Sequence, residues 1–207
     1  MGYTGILPTN GSSGTGPKAY LNYIMFDRDF NPIVTDVSQS NFVRMTTAAK
    51  EAGTDVAHEK LYAEITVKQA GYLYILNEGP SGANGASSFV ILFPSTTAND
   101  GLSYLAENQR VEIPQQSWFT FDAEQGTEKL WLVFSANAVP ELEAVKQFAN
   151  QKDRGLVKDA GLNARVQEFL SAHAGEKATL EKDDELKQTS LRIPGTVLVH
   201  AIKLEHH

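Results

Sequence analysis

Hydrophobic and polar positions alternate strictly in LYAEITVK at 61–68. Leu61, Ala63, Ile65 and Val67 take one side, and Tyr62, Glu64, Thr66 and Lys68 the other. Alternation of this kind is the mark of a strand with one face buried. KAYLNYIMF at 18–26 is apolar on both alternating faces, which predicts a central strand covered on both sides. GYLYILN at 71–77 and SFVILFP at 88–94 predict an antiparallel pair, joined by the glycine- and serine-rich GPSGANGASS. That loop is longer than a common hairpin loop. It carries no charge, aromatic ring or imidazole, so it is expected to connect rather than to bind. RVEIP at 110–114, SWFTF at 117–121 and KLWLVFS at 129–135 are further strand candidates, with DAEQGTE read as a hairpin connection that has Gly126 at its tip. TVLVHAIKL closes the series, and Leu204 continues the alternation of Leu198, His200 and Ile202 into the final LEHH, a stretch that also resembles a truncated purification tag.

The period changes after residue 138. Val139, Leu142, Val145 and Phe148 recur at helical spacing, with Pro140 in the first turn, Glu141 and Glu143 near the positive end of the dipole, and Lys146 towards the other end. Leu162, Val166, Phe169 and Leu170 form a second stripe, with Asp159 as N-cap and Gly175 as C-cap. TTAAKEA at 46–52 has room for about two helical turns. EKATLEKDDELKQTS, charged and weakly patterned, reads as a solvated linker. Many short strands separated by turn signals, then two helices, predict a mainly β (α+β) fold: an antiparallel β-sandwich with two C-terminal-side helices near 139–150 and 160–174. Residues 1–17 are expected to be a flexible N-terminal segment and 18–207 a single sandwich domain.

Composition narrows the function classes. The chain has 207 residues, 42% hydrophobic, and a formal net charge of -7. The acidic balance argues against a nonspecific grip on nucleic acid or anionic membrane. The absence of cysteine excludes disulfides, thiolate catalysis and zinc-thiolate sites. No apolar run approaches the ~18 residues needed to cross a bilayer as a helix. No secretory signal pattern opens the chain, so if the parent protein is exported to the envelope or beyond the cell, the address lies elsewhere.

Candidate chemistry is thin. The glycines of 5–17 neither follow a strand nor open a helix, so a phosphate cradle lacks its context. His58-Glu59 opens like a zinc-protease helix, but the second histidine is missing. Asp27, Asp29 and Asn31 alternate like calcium ligands without the glycine or distal Glu of a calcium hand, and turn chemistry explains them better. Asp183, Asp184 and Glu185 read as a solvated run. GASSF at 85–89 lacks the closing glycine of a nucleophile elbow, and His200 reads as a packed or edge histidine. Trp118, Phe119, Phe121 and Trp131 read chiefly as core. Asn99, Asp100, Tyr104 and Trp118, around the Asn-Asp-Gly turn and the WFTF strand, are the candidate ligand-binding residues, with Tyr104 or Trp118 as a platform for a sugar ring or partner chain. No catalytic residue, metal ligand or cofactor is expected.

From about Leu61 onward, GYLYILNEG, FVILFPS, the Asn-Asp-Gly turn, the segment ending in IP, WFTFD, GTEKLWLVFS, VPELEAVKQFANQKDRGLV and VLVHAIKLEHH follow in an order that resembles the bacterial domain-of-unknown-function family DUF4384. The resemblance implies a β-rich accessory domain, appended to kinases, proteases or envelope proteins, with no catalytic residues to carry over. ILPTNGSSGTGPKAYLNYIMFDRDFNPI and KEAGTDVAHEKLYAEITVKQAGYLYILNE are similar to a β-sandwich segment of Bacteroidetes Rhs-repeat proteins. The two resemblances overlap on GYLYILNEGP and suggest a seam near 71–88, as in a recombined, chimeric or designed sequence. The expected function is a non-catalytic interaction module of a bacterial envelope or secreted protein, with a protein or glycan partner and neither nucleic acid nor membrane insertion. The alternative is a carbohydrate-binding β-sandwich, and a hydrolase ranks third.

Overall fold

The computed structural model describes residues 19–27, 32–33, 42–44, 60–79, 87–113, 119–120, 126–174, 178–183, 185 and 188–206. In chain order the strands are β1 (Ala19–Asp27), β2 (Pro32–Ile33), β3 (Phe42–Arg44), β4 (Lys60–Val67), β5 (Gly71–Glu78), β6 (Phe89–Phe93), β7 (Tyr104–Leu105), β8 (Arg110–Ile113), β9 (Phe119–Thr120), β10 (Gly126–Ser135), β11 (Thr179–Asp183), β12 (Gln188–Ile193) and β13 (Val197–His206). Helices α1 (Pro140–Val145) and α2 (Ala160–His173) stand between β10 and β11.

One sheet runs β11-β12-β1-β4-β8, with β2 added to β1 and β9 to β4; the other runs β3-β13-β10-β5-β6, with β7 added to β5. Every described pairing is antiparallel except β3 with β13. The first strand lies between β4 and the late β12, so early and late parts of the chain share a sheet. The fold is mainly β, as the patterning predicts.

Two cores hold the layers together. Ala63, Ile65 and Val67 of β4, Leu73 and Ile75 of β5, Leu130, Leu132 and Phe134 of β10, Leu191 and Ile193 of β12, and Leu198 and Ile202 of β13 meet between the sheets. On the far face of the second sheet, Tyr74, Leu76, Trp131, Val133 and Val199 pack against Val139, Leu142, Val145, Leu162, Val166 and Leu170. The second sheet is therefore covered on both sides, which is why β5 is apolar from Tyr72 to Leu76 and β10 from Leu130 to Phe134. Burying each such Leu, Ile or Val is worth roughly 1.5–3 kcal/mol, so the helical layer adds substantially to the inter-sheet core.

Strand β6 breaks its own alternation. Ile91 stands opposite Leu76 and packs towards the helices, whereas Phe93 stands opposite Ile75 and packs between the sheets. The register shift makes Leu92 the extra residue of a β-bulge, which moves the strand from one core to the other. Simple alternation would put Phe89, Ile91 and Phe93 on one face.

Three expectations need correction. The stretch read as a solvated linker holds β11 and the first half of β12. Its alternation is carried by few apolar residues, Leu180, Leu191 and Ile193, with Thr189 and Ser190 as buried polar residues among them. The 122–128 stretch is not a hairpin tip: β9 pairs with β4 in the first sheet, while Gly126 begins β10 in the second, opposite His206. The first helix is short, continued by a 3-10 turn at Lys146–Phe148, and the second is capped at its C-terminus by Ala174. Asp159 caps α2 as expected, its carboxylate accepting the Leu162 N–H at 2.9 Å, and Pro140 occupies the first turn of α1. Phe148 and Phe169 are only partly buried. The expected helix at 46–52, the loop at 80–86, Asp29, Asn31, His58, Glu59, Phe121 and Asp184 lie outside the described residues, as do 1–17.

Candidate functional site

Asn99, Asp100 and Gly101 have φ values of 56°, 52° and 73°, three successive residues in the left-handed region. Asn, Asp and Gly are the residue types that tolerate it, so this tripeptide specifies its own turn. The Asn99 amide then fastens the residues beyond the turn. Its Nδ2 donates to the carbonyls of Leu102 at 2.6 Å and Tyr104 at 3.1 Å, and its Oδ1 accepts from Gln109 Nε2 at 3.2 Å. The Gly101 N–H donates to the Ser95 carbonyl at 2.8 Å.

The chain leaves the turn in alternation. Ser103 and Leu105 are buried, whereas Leu102 is 60% and Tyr104 52% exposed. The Leu73 N–H donates to the Ser103 carbonyl at 2.9 Å and ties this segment to β5. Tyr104 stands opposite Tyr72 in the register, their rings edge to face with centroids 5.5 Å apart. Leu102, Tyr104 and Tyr72 thus form an apolar strip on a braced turn.

Under this strip lies a carboxylate with three side-chain donors. Glu143 of α1 accepts from the Tyr74 hydroxyl at 2.7 Å, from the Ser103 hydroxyl, and from Lys146 Nζ at 2.8 Å. The Tyr74 oxygen accepts the Val139 N–H at 3.1 Å. Burial tends to raise the Glu143 carboxyl, but Lys146, Ser103 and Tyr74 outweigh it and hold it below the usual range. Burial, with the bond to Glu143, pushes the Tyr74 phenol well above its ordinary value. A second carboxylate, Glu78, is buried and accepts from Trp131 Nε1 at 2.7 Å, Ser87 Oγ at 2.7 Å and Lys129 Nζ at 3.1 Å. Burial again tends to raise it, and Ser87, Trp131 and Lys129 together bring it below the usual range. Both carboxylates are saturated with donors, which suits bracing rather than proton transfer to a substrate.

A cleft of about 440 Å³ beside the turn is lined by Phe93, Ala98, Asn99 and residues 109–112. Its cation is committed: Arg110 reaches Glu64 at 2.6 Å and Glu112 at 3.1 Å. His200 shares a face with Leu198 and Ile202 and stands opposite Leu132, all three in the inter-sheet core. Burial lowers its imidazole to about 4, which agrees with a packed histidine. Among the described residues no group of three or more His, Cys, Asp or Glu side chains is placed to hold a metal ion. No helix there is long and apolar enough to cross a membrane, which says nothing of a β-barrel.

The turn therefore brings Asn99, Asp100 and Tyr104 together, while Trp118 lies outside the described residues. Asn99 is fully engaged in holding the turn, and Asp100 is exposed with no hydrogen bond to another described residue. Sequence reasoning missed Leu102 and Tyr72 as companions of Tyr104, because only the β5–β7 register makes them neighbours. It also missed the carboxylate networks. One signal for Glu78 was available: a buried tryptophan needs an acceptor for its indole N–H, and an acidic residue ends the neighbouring strand.

Residues 56–138 match the family model described as a domain of unknown function, DUF4384. The match covers β4 to β10, the Asn-Asp-Gly turn and the exposed strip included, and stops before α1. It is shorter at its C-terminal end than the resemblance implied. It also spans 71–88, where the seam was expected, and no match to Rhs-repeat proteins accompanies it. No curated protein and no solved structure matches the chain.

Proposed function

We propose that this protein is a non-catalytic interaction module of a larger bacterial envelope or secreted protein, and that it meets a polypeptide partner through Leu102, Tyr104 and Tyr72. The observation that carries this reading is the pair Leu102 and Tyr104, each more than half exposed on a segment braced by Asn99 and Ser103. Large apolar side chains held rigidly outward lose little entropy on binding, which favours a contact surface.

A carbohydrate-binding role is the second reading, because Tyr104 offers a ring beside the exposed Asp100. Sugar recognition also needs free donors and acceptors around the ring. The Asn99 amide spends both ends on the turn, which favours a protein partner. Paired screens on a displayed peptide library and a glycan array test the choice. Peptide binding weakened about tenfold by Tyr104→Ala, with the melting temperature held, is the expected result. Glycan binding with the same sensitivity favours the second reading. Binding indifferent to Tyr104 and Leu102 overturns both.

A further inference from the structure

The segment between the helices, 146–158, runs against the charge of the rest of the chain. It holds Lys146, Lys152, Arg154 and Lys158 against Asp153, a net +3, while the remainder carries -10. Lys146 is taken up by Glu143 at 2.8 Å. Lys158 pairs with Asp153 at 2.7 Å, but it is 54% exposed, and such pairs hold their cations weakly. Lys152 and Arg154 make no side-chain hydrogen bond or ion pair to any described residue, and both are exposed.

The backbone that presents these side chains is fixed. Asn150 Oδ1 accepts the N–H groups of Lys152 and Asp153, both at 2.9 Å, and its Nδ2 reaches the Gln147 carbonyl at 2.7 Å. The next residues lie along the outer edge of β6: Ile91 N–H donates to the Gly155 carbonyl, and Val157 N–H to the Phe89 carbonyl, both at 2.9 Å. Gly155 and Val157 are buried there, whereas Arg154, Leu156 and Lys158 are exposed. Arg154 and Gly155 have φ of 52° and 81°, so Arg154 belongs to the turn that leads into this edge, and the exposed Leu156 and Lys158 follow it along β6. Lys152 stands just before them.

Covering the edge of β6 explains the backbone of this segment. It does not explain the side chains, since any polar residue would serve at the outward positions, and in an acidic protein carboxylates would serve solubility better. We infer that Arg154, Leu156 and Lys158, with Lys152, form a docking surface for an acidic polypeptide segment. Its carboxylates meet the cations, and an apolar side chain among them meets Leu156. The strongly negative remainder of the molecule repels a phosphate backbone, so a short acidic peptide fits this surface better than a nucleic acid.

The test titrates isotope-labelled protein with a synthetic peptide of alternating acidic and apolar residues rich in Glu and Leu. Amide shifts confined to 150–158 are expected, weakening steeply with added salt. Lys152→Glu with Arg154→Glu should lower the affinity at least tenfold at an unchanged melting temperature. If the double variant does not fold, Lys152→Glu alone serves, because that side chain bonds to nothing described. Tyr104→Ala should leave this binding intact, so the result stands or falls independently of the reading of the Leu102–Tyr104 strip. No shift, or equal binding of a Gln/Leu peptide, overturns the inference. Tighter binding of a DNA oligonucleotide overturns it in favour of a general polyanion site, and salt-sensitive dimerisation in favour of a second copy of this chain.

Discussion

Glu78, Glu143 and His200 decide how this fold answers to acid. The His200 imidazole is lowered by burial from 6.5 to about 4, so the native state favours its neutral form. Its contribution is complete above about pH 6.5 and is lost as pH falls from there through about 4. Glu78 and Glu143 are both held below the ordinary 4.5, so their contributions are present above that value and disappear as pH falls further. Acid denaturation should therefore have two limbs. Urea midpoints measured against pH should decline from about 6.5 downward, and His200→Leu should flatten that upper limb alone. Glu78→Gln with Glu143→Gln should flatten the limb below about 4.5. A wild-type midpoint constant down to pH 4 would contradict the lowering of His200 by burial beside Leu198 and Ile202.

At the scale of elements, legibility followed burial. LYAEITVK declared itself because one face is core and the other wet. GYLYILNE and KLWLVFS were legible as strands because both faces are buried, though nothing in them told which face meets the helices. The β11–β12 hairpin was not legible: Leu180, Leu191 and Ile193 face the core, but Glu181, Lys182 and Asp183 made the stretch read as solvated charge. The bulge at Leu92 was hidden for the opposite reason, since both of its neighbours are apolar and only pairing with β5 separates their destinations. Of the candidate site, the turn was legible from Asn-Asp-Gly, whereas the strip needed the register of Tyr72 with Tyr104. The edge segment makes a sharp prediction. Gly155 has φ of 81°, and a Cβ there would stand 2.3 Å from the Ile91 carbonyl oxygen. Gly155→Ala should cost about 2–4 kcal/mol through backbone strain and weakened pairing with β6. A denaturant midpoint within error of wild type would show that the segment does not depend on this contact.

For the whole molecule, the two sheets and the helical layer form a frame on which two different surfaces are displayed. One is apolar and lies within the matched family segment; the other is cationic and lies beyond it, between the helices. Their separation along the chain makes them testable one at a time. The buried Glu78 and the partly buried Glu143 brace strands and helices, and Arg110 bridges Glu64 and Glu112 across β4 and β8. The claim that the Leu102–Tyr104 strip is the contact surface meets its most direct test in hydrogen–deuterium exchange, with the strongest ligand from the paired screens bound. The account predicts new protection at 99–105 and around Tyr72, with the cleft at 109–112 unchanged. Protection centred on the cleft, or confined to β11 and β12, would contradict it.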